Sequence, residues 1–141
     1  MLRGLTTTNF FADDVAAAKD WYTKVFGVEA YFARPLEGPP AYVEFRIGDY
    51  SHEFGILDSR YAAHEVGKPG GAVTYWAVDD VEAAFAELIG HGATEHQKPT
   101  EHGPGFVTAS VVDPFGNVLG VMFNQHYLDI LATKTAAAAQ A

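Results

Sequence analysis

Histidine and glutamate recur side by side in this chain, at places that invite a metal or an acid–base reading. The block TEHQKPTEHG (94–103) contains Thr-Glu-His twice, which sets His96 and His102 beside Glu95 and Glu101; a second His-Glu pair, His52-Glu53, lies in HEFGILD, and His64, His91 and His126 stand apart. Imidazole nitrogens and carboxylate oxygens are donors that Zn, Ni and Fe accept. Geometry narrows the options. On a strand, neighbouring side chains point to opposite faces, so His52 and Glu53 do not reach one ion. His96 and His102 flank an expected turn at Lys98–Glu101, a loop setting that suits contact with a ligand better than chelation. With Glu95 and Glu101 they form the best alternative metal cluster. His91 falls near a helix end, where a cation suits the dipole. The chain has no cysteine, so thiolate sites, cysteine nucleophiles and disulfides are excluded. No Gly-x-Ser-x-Gly elbow, P-loop or dinucleotide fingerprint occurs, and no cofactor is expected.

The surrounding composition is that of one globular domain: 141 residues, 48% hydrophobic and 19% charged. The net charge of −9 and the lack of a Lys/Arg cluster exclude a phosphate-tracking surface, so nucleic acid is not an expected partner. The same acidic field favours a cationic small molecule. No apolar run is long enough for a membrane span, and MLRGLTTTNFFADD lacks the apolar core of a signal peptide. A cytoplasmic protein without a membrane partner is expected.

The elements that must position these residues repeat. ADDVAAAK (12–19) returns as VDDVEAAF (78–85), with the two Asp-Asp-Val triplets 66 positions apart. Each triplet follows an apolar segment and opens an amphipathic one. Asp13-Asp14 and Asp79-Asp80 suit helix starts, because short carboxylates satisfy orphan N–H groups and the helix dipole together. Val15, Ala18, Tyr22, Val25 and Phe26 share one helical face, as do Val81, Ala84, Phe85, Leu88 and Ile89; Gly27 and Gly92 mark the stops. Trp21, Tyr22, Phe26 and Trp76 are expected in packing roles. Three strand-like runs follow each helix, at 29–34, 41–48 and 52–58, then at 93–98, 106–113 and 118–123. Turns are expected at Gly48–Ser51 and Asp113–Asn117. Each half therefore reads β-α-β-β-β. One module covers 1–58, a linker 59–71 ends in Pro-Gly-Gly, and the other covers 72–125. The expected fold is α+β, two βαβββ modules whose curved mixed sheets form a cleft with the helices outside. Over 126–141 the expectation is a short helix at Tyr127–Leu131 and a frayed or disordered alanine-rich end.

In this arrangement FFADDVAAAKDWYTKVFGVEA (10–30) and VDPFGNVLGVMF (112–123) resemble the vicinal oxygen chelate superfamily, which includes glyoxalase I, extradiol dioxygenases and bleomycin-resistance proteins. The resemblance spans roughly residues 1–125. It implies a homodimer. In metal-dependent members it also implies His and Glu ligands from the first and last strands of each module. Counting from the local motifs, those positions fall on Thr7, Gly55, Val73 and Gly120. Glycine and valine have no side-chain donor, and one hydroxyl is a poor ligand, so no metal is expected. The immediate neighbours of the four positions include neither His nor Glu.

Strand alternation predicts what the cleft offers instead. Thr7, Asn9 and Phe11 face inward from the first strand, Glu53, Gly55 and Leu57 from the fourth. Val73, Tyr75 and Ala77 do so in the second module, with Val118, Gly120 and Met122. The middle strand contributes either Tyr42, Glu44 and Arg46 or Val43 and Phe45. Glu44 and Arg46 read as an exposed ion pair. The glycines are expected to leave room for a ligand. The ligand-binding set is then Thr7, Asn9, Phe11, Glu53, Gly55, Val73, Tyr75, Gly120 and Met122, with no metal and no assigned catalytic residue. This predicts a metal-free protein, resembling bleomycin-resistance-type members, that sequesters or carries a small aromatic or cationic ligand. The alternative is a glyoxalase- or dioxygenase-like enzyme, a lyase or isomerase, with a relocated metal near His96 and His102 or with Glu53 as general base. A third reading is an accessory domain whose product is its dimer interface.

Overall fold

The computed structural model describes Met1 and residues 3–141, in two units: Met1–Gly71 with Asp113–Asn117, and Ala72–Val112 with Val118–Ala141. The first contains β1 (Thr7–Ala12), α1 (Val15–Phe26), β2 (Phe32–Arg34), β3 (Tyr42–Ile47) and β4 (His52–Asp58) in one sheet of order β1-β4-β3-β2. The second contains β5 (Thr74–Ala77), α2 (Val81–Gly90), β6 (Thr94–Gly103), β7 (Phe106–Val112) and β8 (Val118–Asn124), ordered β5-β8-β7-β6, followed by α3 (Gln125–Gln140). In each sheet the first strand pairs parallel with the fourth and the remaining pairings are antiparallel. The fold is α+β with the duplicated βαβββ order read from the sequence.

The duplication extends to atoms. The Asp14 carboxylate accepts from the Ala17 N–H and the Asp80 carboxylate from the Ala83 N–H, both at 2.9 Å, so each helix opens on the second aspartate of its triplet. Gly27 closes α1 at φ +68, the left-handed geometry of a helix end. Each sheet buries the face that meets its helix. In the first unit Phe10, Val43, Phe45, Phe54 and Ile56 are buried with Val15, Ala18 and Tyr22 of α1; in the second, Ala109, Val111, Leu119 and Val121 are buried with Val81 and Leu88 of α2.

The strand expected at 29–34 forms only over Phe32–Arg34, a 3-10 turn at Ser59–Tyr61 opens the linker, and two further elements extend beyond the sequence expectation. Lys98–Glu101 is not a turn: β6 runs through it, because Thr94–Gly103 keeps pairing with β7 across several register shifts. The C-terminal helix does not stop at Leu131 but continues to Gln140, in keeping with the high helix propensity of its alanines.

Tyr22 centres the core of the first unit. Its ring lies 4.9 Å from that of Phe54 and 5.0 Å from that of Phe26, and its hydroxyl donates to Asp113 Oδ2 at 2.5 Å. Asp113 is itself only 3% exposed, and its Oδ1 accepts from the Phe115 and Asn117 N–H groups at 2.9 and 2.8 Å. Asn117 carries the network to the edge of the sheet. Its side-chain amide accepts from Phe11 N–H at 3.1 Å and donates to Phe11 C=O at 3.0 Å, replacing one rung of a neighbouring strand along β1. At Gly116, with φ +94, a Cβ would run into the backbone of Gly67.

Burial, then the nearby Asp113 carboxylate and the bond to it, push the Tyr22 phenol well above the ordinary value of 10.0. Above that value the unfolded phenol loses its proton while the folded one keeps it, so stability falls as pH rises, by about 1.4 kcal/mol per pH unit for this group. Tyr22→Phe is expected to cost about 1–3 kcal/mol in urea unfolding at neutral pH and to remove that alkaline slope. An unchanged slope would refute the assignment. Gly116→Ala is expected to cost more than about 1 kcal/mol, since the backbone both requires positive φ and blocks the methyl. A wild-type urea midpoint would contradict the close approach to Gly67.

Candidate functional site

Because Val43, Phe45, Phe54 and Ile56 are buried with α1, pleating turns their neighbours to the opposite face of the first sheet. The register arranges that face in rows: Thr7–Glu53–Arg46, then Asn9–Gly55–Glu44–Phe32, then Phe11–Leu57–Tyr42–Arg34. The choice left open for β3 is thereby made. Tyr42, Glu44 and Arg46 share the face of Glu53, while Val43 and Phe45 belong to the core.

Two carboxylates dominate this face, and each oxygen of both has a partner. Glu44 accepts from the hydroxyls of Tyr31 and Tyr42, one on each oxygen. Glu53 accepts from Thr7 Oγ1 at 3.1 Å through Oε2, and its Oε1 lies 3.8 Å from Arg46 Nη2. The expected ion pair of Glu44 with Arg46 is therefore replaced by a cross-strand pair of Arg46 with Glu53. Directly opposed residues come closer across a ladder than residues two apart on one strand. Desolvation and the neighbouring Glu53 charge raise the Glu44 carboxyl above the usual 4.5, with Arg46 pulling it back. Desolvation and Glu53 also raise the Tyr42 phenol. The Arg46 guanidinium lies 4.3 Å from the Tyr31 ring centre, and that of Arg34 lies 4.2 Å from the Phe32 ring centre. Such a surface of rings and carboxylates can hold a cation.

Of the sequence-predicted residues, Thr7, Asn9, Phe11, Glu53 and Gly55 fall together on this face. Phe11 is half-buried and meets the His64 ring edge-on at 5.2 Å. Gly55 does not leave open space. A Cβ there would come within 2.6 Å of Tyr42 Cε2 and would collide with Asn9 Oδ1. The sequence reading missed Tyr31 and left Tyr42, Glu44 and Arg46 as one of two alternatives for the inward face of the middle strand. The signal for the last three was the alternation in YVEFRI, where the apolar residues mark the core side and so reveal the other.

The second sheet carries Tyr75, Gly120 and Ser110 in one row of its helix-free face, with Ala77, Met122 and Thr108 in the next. Val73 lies just before β5. The Tyr75 ring covers Gly120, where a Cβ would stand 2.8 Å from Tyr75 Cε1. This glycine too has its space filled by the chain. His96 and His102 are each the extra residue at a register shift of β6. They reach the same face, His96 Nδ1 at 2.9 Å from Ser110 Oγ and His102 Nε2 at 2.8 Å from Thr108 Oγ1. They belong to a strand rather than a loop, and each is engaged by a hydroxyl of β7. Among the described residues no group of three or more His, Cys, Asp or Glu side chains could hold a metal ion.

The metal of the metal-dependent proteins that the sequence resembles does not fit the four positions the resemblance assigns to it. Thr7 alone has a side-chain oxygen, and that hydroxyl donates to Glu53; Gly55 and Gly120 are overlain by Asn9, Tyr42 and Tyr75. No helix among the described residues is long and apolar enough to cross a membrane.

Known proteins agree with this fold. No curated protein sequence matches the chain significantly. Among solved structures, a glyoxalase-related enzyme from Fulvimarina pelagi is similar at 16% identity, covering 88% of this chain and 90% of that one, with a TM-score of 0.65. TioX from Micromonospora sp. ML1 is similar at 18% identity, covering 85% and 98%, with a TM-score of 0.64. A lactoylglutathione lyase from Agrobacterium tumefaciens is similar at 22% identity, covering 86% and 94%, with a TM-score of 0.63. At these identities the likeness concerns the fold. The sequence model of one family matches residues 4–121, most of the chain, and the protein therefore belongs to the Glyoxalase/Bleomycin resistance protein/Dioxygenase superfamily.

Proposed function

We propose that this protein is a metal-free member of its superfamily that binds a small aromatic or cationic compound. The carrying observation is the first sheet's helix-free face, where Glu44 and Glu53 stand among the rings of Tyr31, Phe32 and Tyr42. Carboxylates attract a cation, aromatic faces stack on it or on an attached ring, and the donor-poor metal positions leave that face to organic ligands. Thr7, Asn9, Phe11 and Glu53 supply the binding residues in this sheet, and Val73, Tyr75 and Met122 those in the other; Gly55 and Gly120 take part only through the side chains that cover them. A homodimer and a cytoplasmic location accompany this reading. The acidic balance, −9 over the chain, adds a weak attraction for cations.

A second reading is supported by the carboxylate pair itself. A protonatable Glu44 beside Glu53 gives two carboxyl groups in different environments, the arrangement that proton-transfer enzymes use. Glu53 would act as the base, and Glu53→Gln would then abolish turnover rather than only weaken binding.

Thermal unfolding of chelator-stripped protein with Zn, Ni, Mn, Fe(II) and Mg, and with a panel of cationic, neutral and anionic aromatic compounds, separates these possibilities. A native-state ligand at a hundred times its dissociation constant stabilises by about 2.7 kcal/mol. The expected result is stabilisation by cationic aromatics and none by the metals. Stabilisation by one metal, lost in His96→Ala/His102→Ala, would overturn the metal-free reading. The pH dependence has a definite sign. Glu44 keeps its proton to a higher pH than an ordinary glutamate, so cation affinity rises with pH as that carboxyl ionises. Glu44→Gln is expected to flatten this rise in a calorimetric titration, and an unchanged profile would remove Glu44 from the site.

A further inference from the structure

The proposed face already holds a cation of the chain's own. The Arg46 guanidinium lies against the Tyr31 ring, 4.3 Å from its centre, with Nη2 3.8 Å from Glu53 Oε1. We infer that Arg46 stands in for the ligand's cationic group: the ligand presents a flat, delocalised cation of the amidinium or guanidinium class, which displaces Arg46 and takes its place between Tyr31 and Glu53. This rests on the binding role proposed for this face.

Three features of the structure carry the inference. Tyr31 is held in position without Arg46, because its hydroxyl donates to Glu44 and its N–H to the Glu44 C=O at 3.0 Å. The ring and the carboxylate therefore remain when the guanidinium leaves. Glu53 is likewise held by Thr7 at 3.1 Å through its other oxygen, so one oxygen stays directed at the place Arg46 vacates. Arg46 is the loosest member of the network. Its 3.8 Å approach is an ion pair beyond hydrogen-bond length, and its side chain is 57% exposed, so it can swing into solvent without burying or stranding a charge. The preference for a flat cation follows from the two partners Arg46 has at once, a ring and a carboxylate. A planar guanidinium can lie over a ring while its edge N–H groups remain free to turn to a carboxylate, whereas an ammonium acts as a compact, strongly hydrated point charge. An aromatic body attached to that cation would meet the remaining rings, Tyr42 and Phe32.

The test is titration calorimetry at pH 7.5 with benzamidine, benzylamine and benzoate as probes, on the wild type, Arg46→Gln, Arg46→Lys and Arg46→Gln/Glu53→Gln. Removing the internal competitor is expected to tighten benzamidine binding about tenfold in Arg46→Gln, the combined scale of one exposed ion pair and one exposed cation–π contact. Arg46→Lys should fall between Arg46→Gln and the wild type. Benzylamine should gain less than benzamidine, benzoate should not gain, and the added Glu53→Gln should abolish the improvement. Benzamidine binding that is equal or weaker in Arg46→Gln than in the wild type overturns the stand-in and leaves the cation-binding role intact. Absence of saturable benzamidine and benzylamine binding in every variant overturns that role, and the stand-in with it. Arg46 is exposed, and far-ultraviolet circular dichroism of each variant confirms that the fold is retained before titration.

Discussion

The burial of Tyr22 with Phe10, Phe26 and Phe54 on one side of a four-stranded sheet is the constraint from which the first unit follows. Phe10 and Phe54 come from the sheet and Tyr22 and Phe26 from α1, so burying the four together fixes which face of the sheet meets the helix. Once they are committed to the side of α1, alternation leaves no freedom for the residues between them. Tyr22 adds a second requirement, because its hydroxyl is buried and must be bonded. Asp113 meets it, and is in turn held by the backbone of its own turn and by the Asn117 amide. The five residues Asp113–Asn117 thus belong to the first unit for a hydrogen-bonding reason as well as a packing one.

The chemistry of the helix-free face is a by-product of the same commitment. With Val43 and Phe45 in the core, Glu44 and Arg46 must emerge on the side of Glu53, and Tyr42 with them. The two carboxylates are then managed differently. Glu44 is bonded by two phenols, while Glu53 is bonded by one hydroxyl and faces a guanidinium at longer range. This asymmetry gives the face one firmly tied carboxylate and one with an exchangeable partner. The second sheet uses its corresponding face otherwise, with a tyrosine laid over its glycine and with histidines that reach β7 hydroxyls from register shifts. The duplicated scaffold therefore carries different chemistry in its two copies, as expected where activity resides in side chains rather than in the backbone plan.

Much of this could be read from the chain before folding. Asp14 and Asp80 announce the helix starts, because an N-cap is a local interaction between a side chain and a backbone three residues on. Alternation in LTTTNFFA puts Thr7 with Asn9, and in HEFGILD Glu53 with Gly55, since pleating is also local; the parallel pairing of β1 with β4 then brings the two pairs to one face. The type of the elements and their order need nothing beyond residue identity and counting; the resemblance singles out Thr7, Gly55, Val73 and Gly120, and residue identity then shows how poor in donors they are. What sequence could not supply depends on pairing between distant segments. The partner of Arg46 is decided by the register of β3 against β4, and that of Glu44 by where Tyr31 lies beside β3. Both glycines were read as space, yet the structure fills them with Asn9 and Tyr42 in one sheet and Tyr75 in the other. Whether a position without a side chain is empty depends on its neighbours across the ladder, and those neighbours are fixed only when the strands pair. The strand through Lys98–Glu101 is the same lesson for the backbone: Lys-Pro-Thr-Glu reads locally as a turn, and pairing with β7 holds it extended.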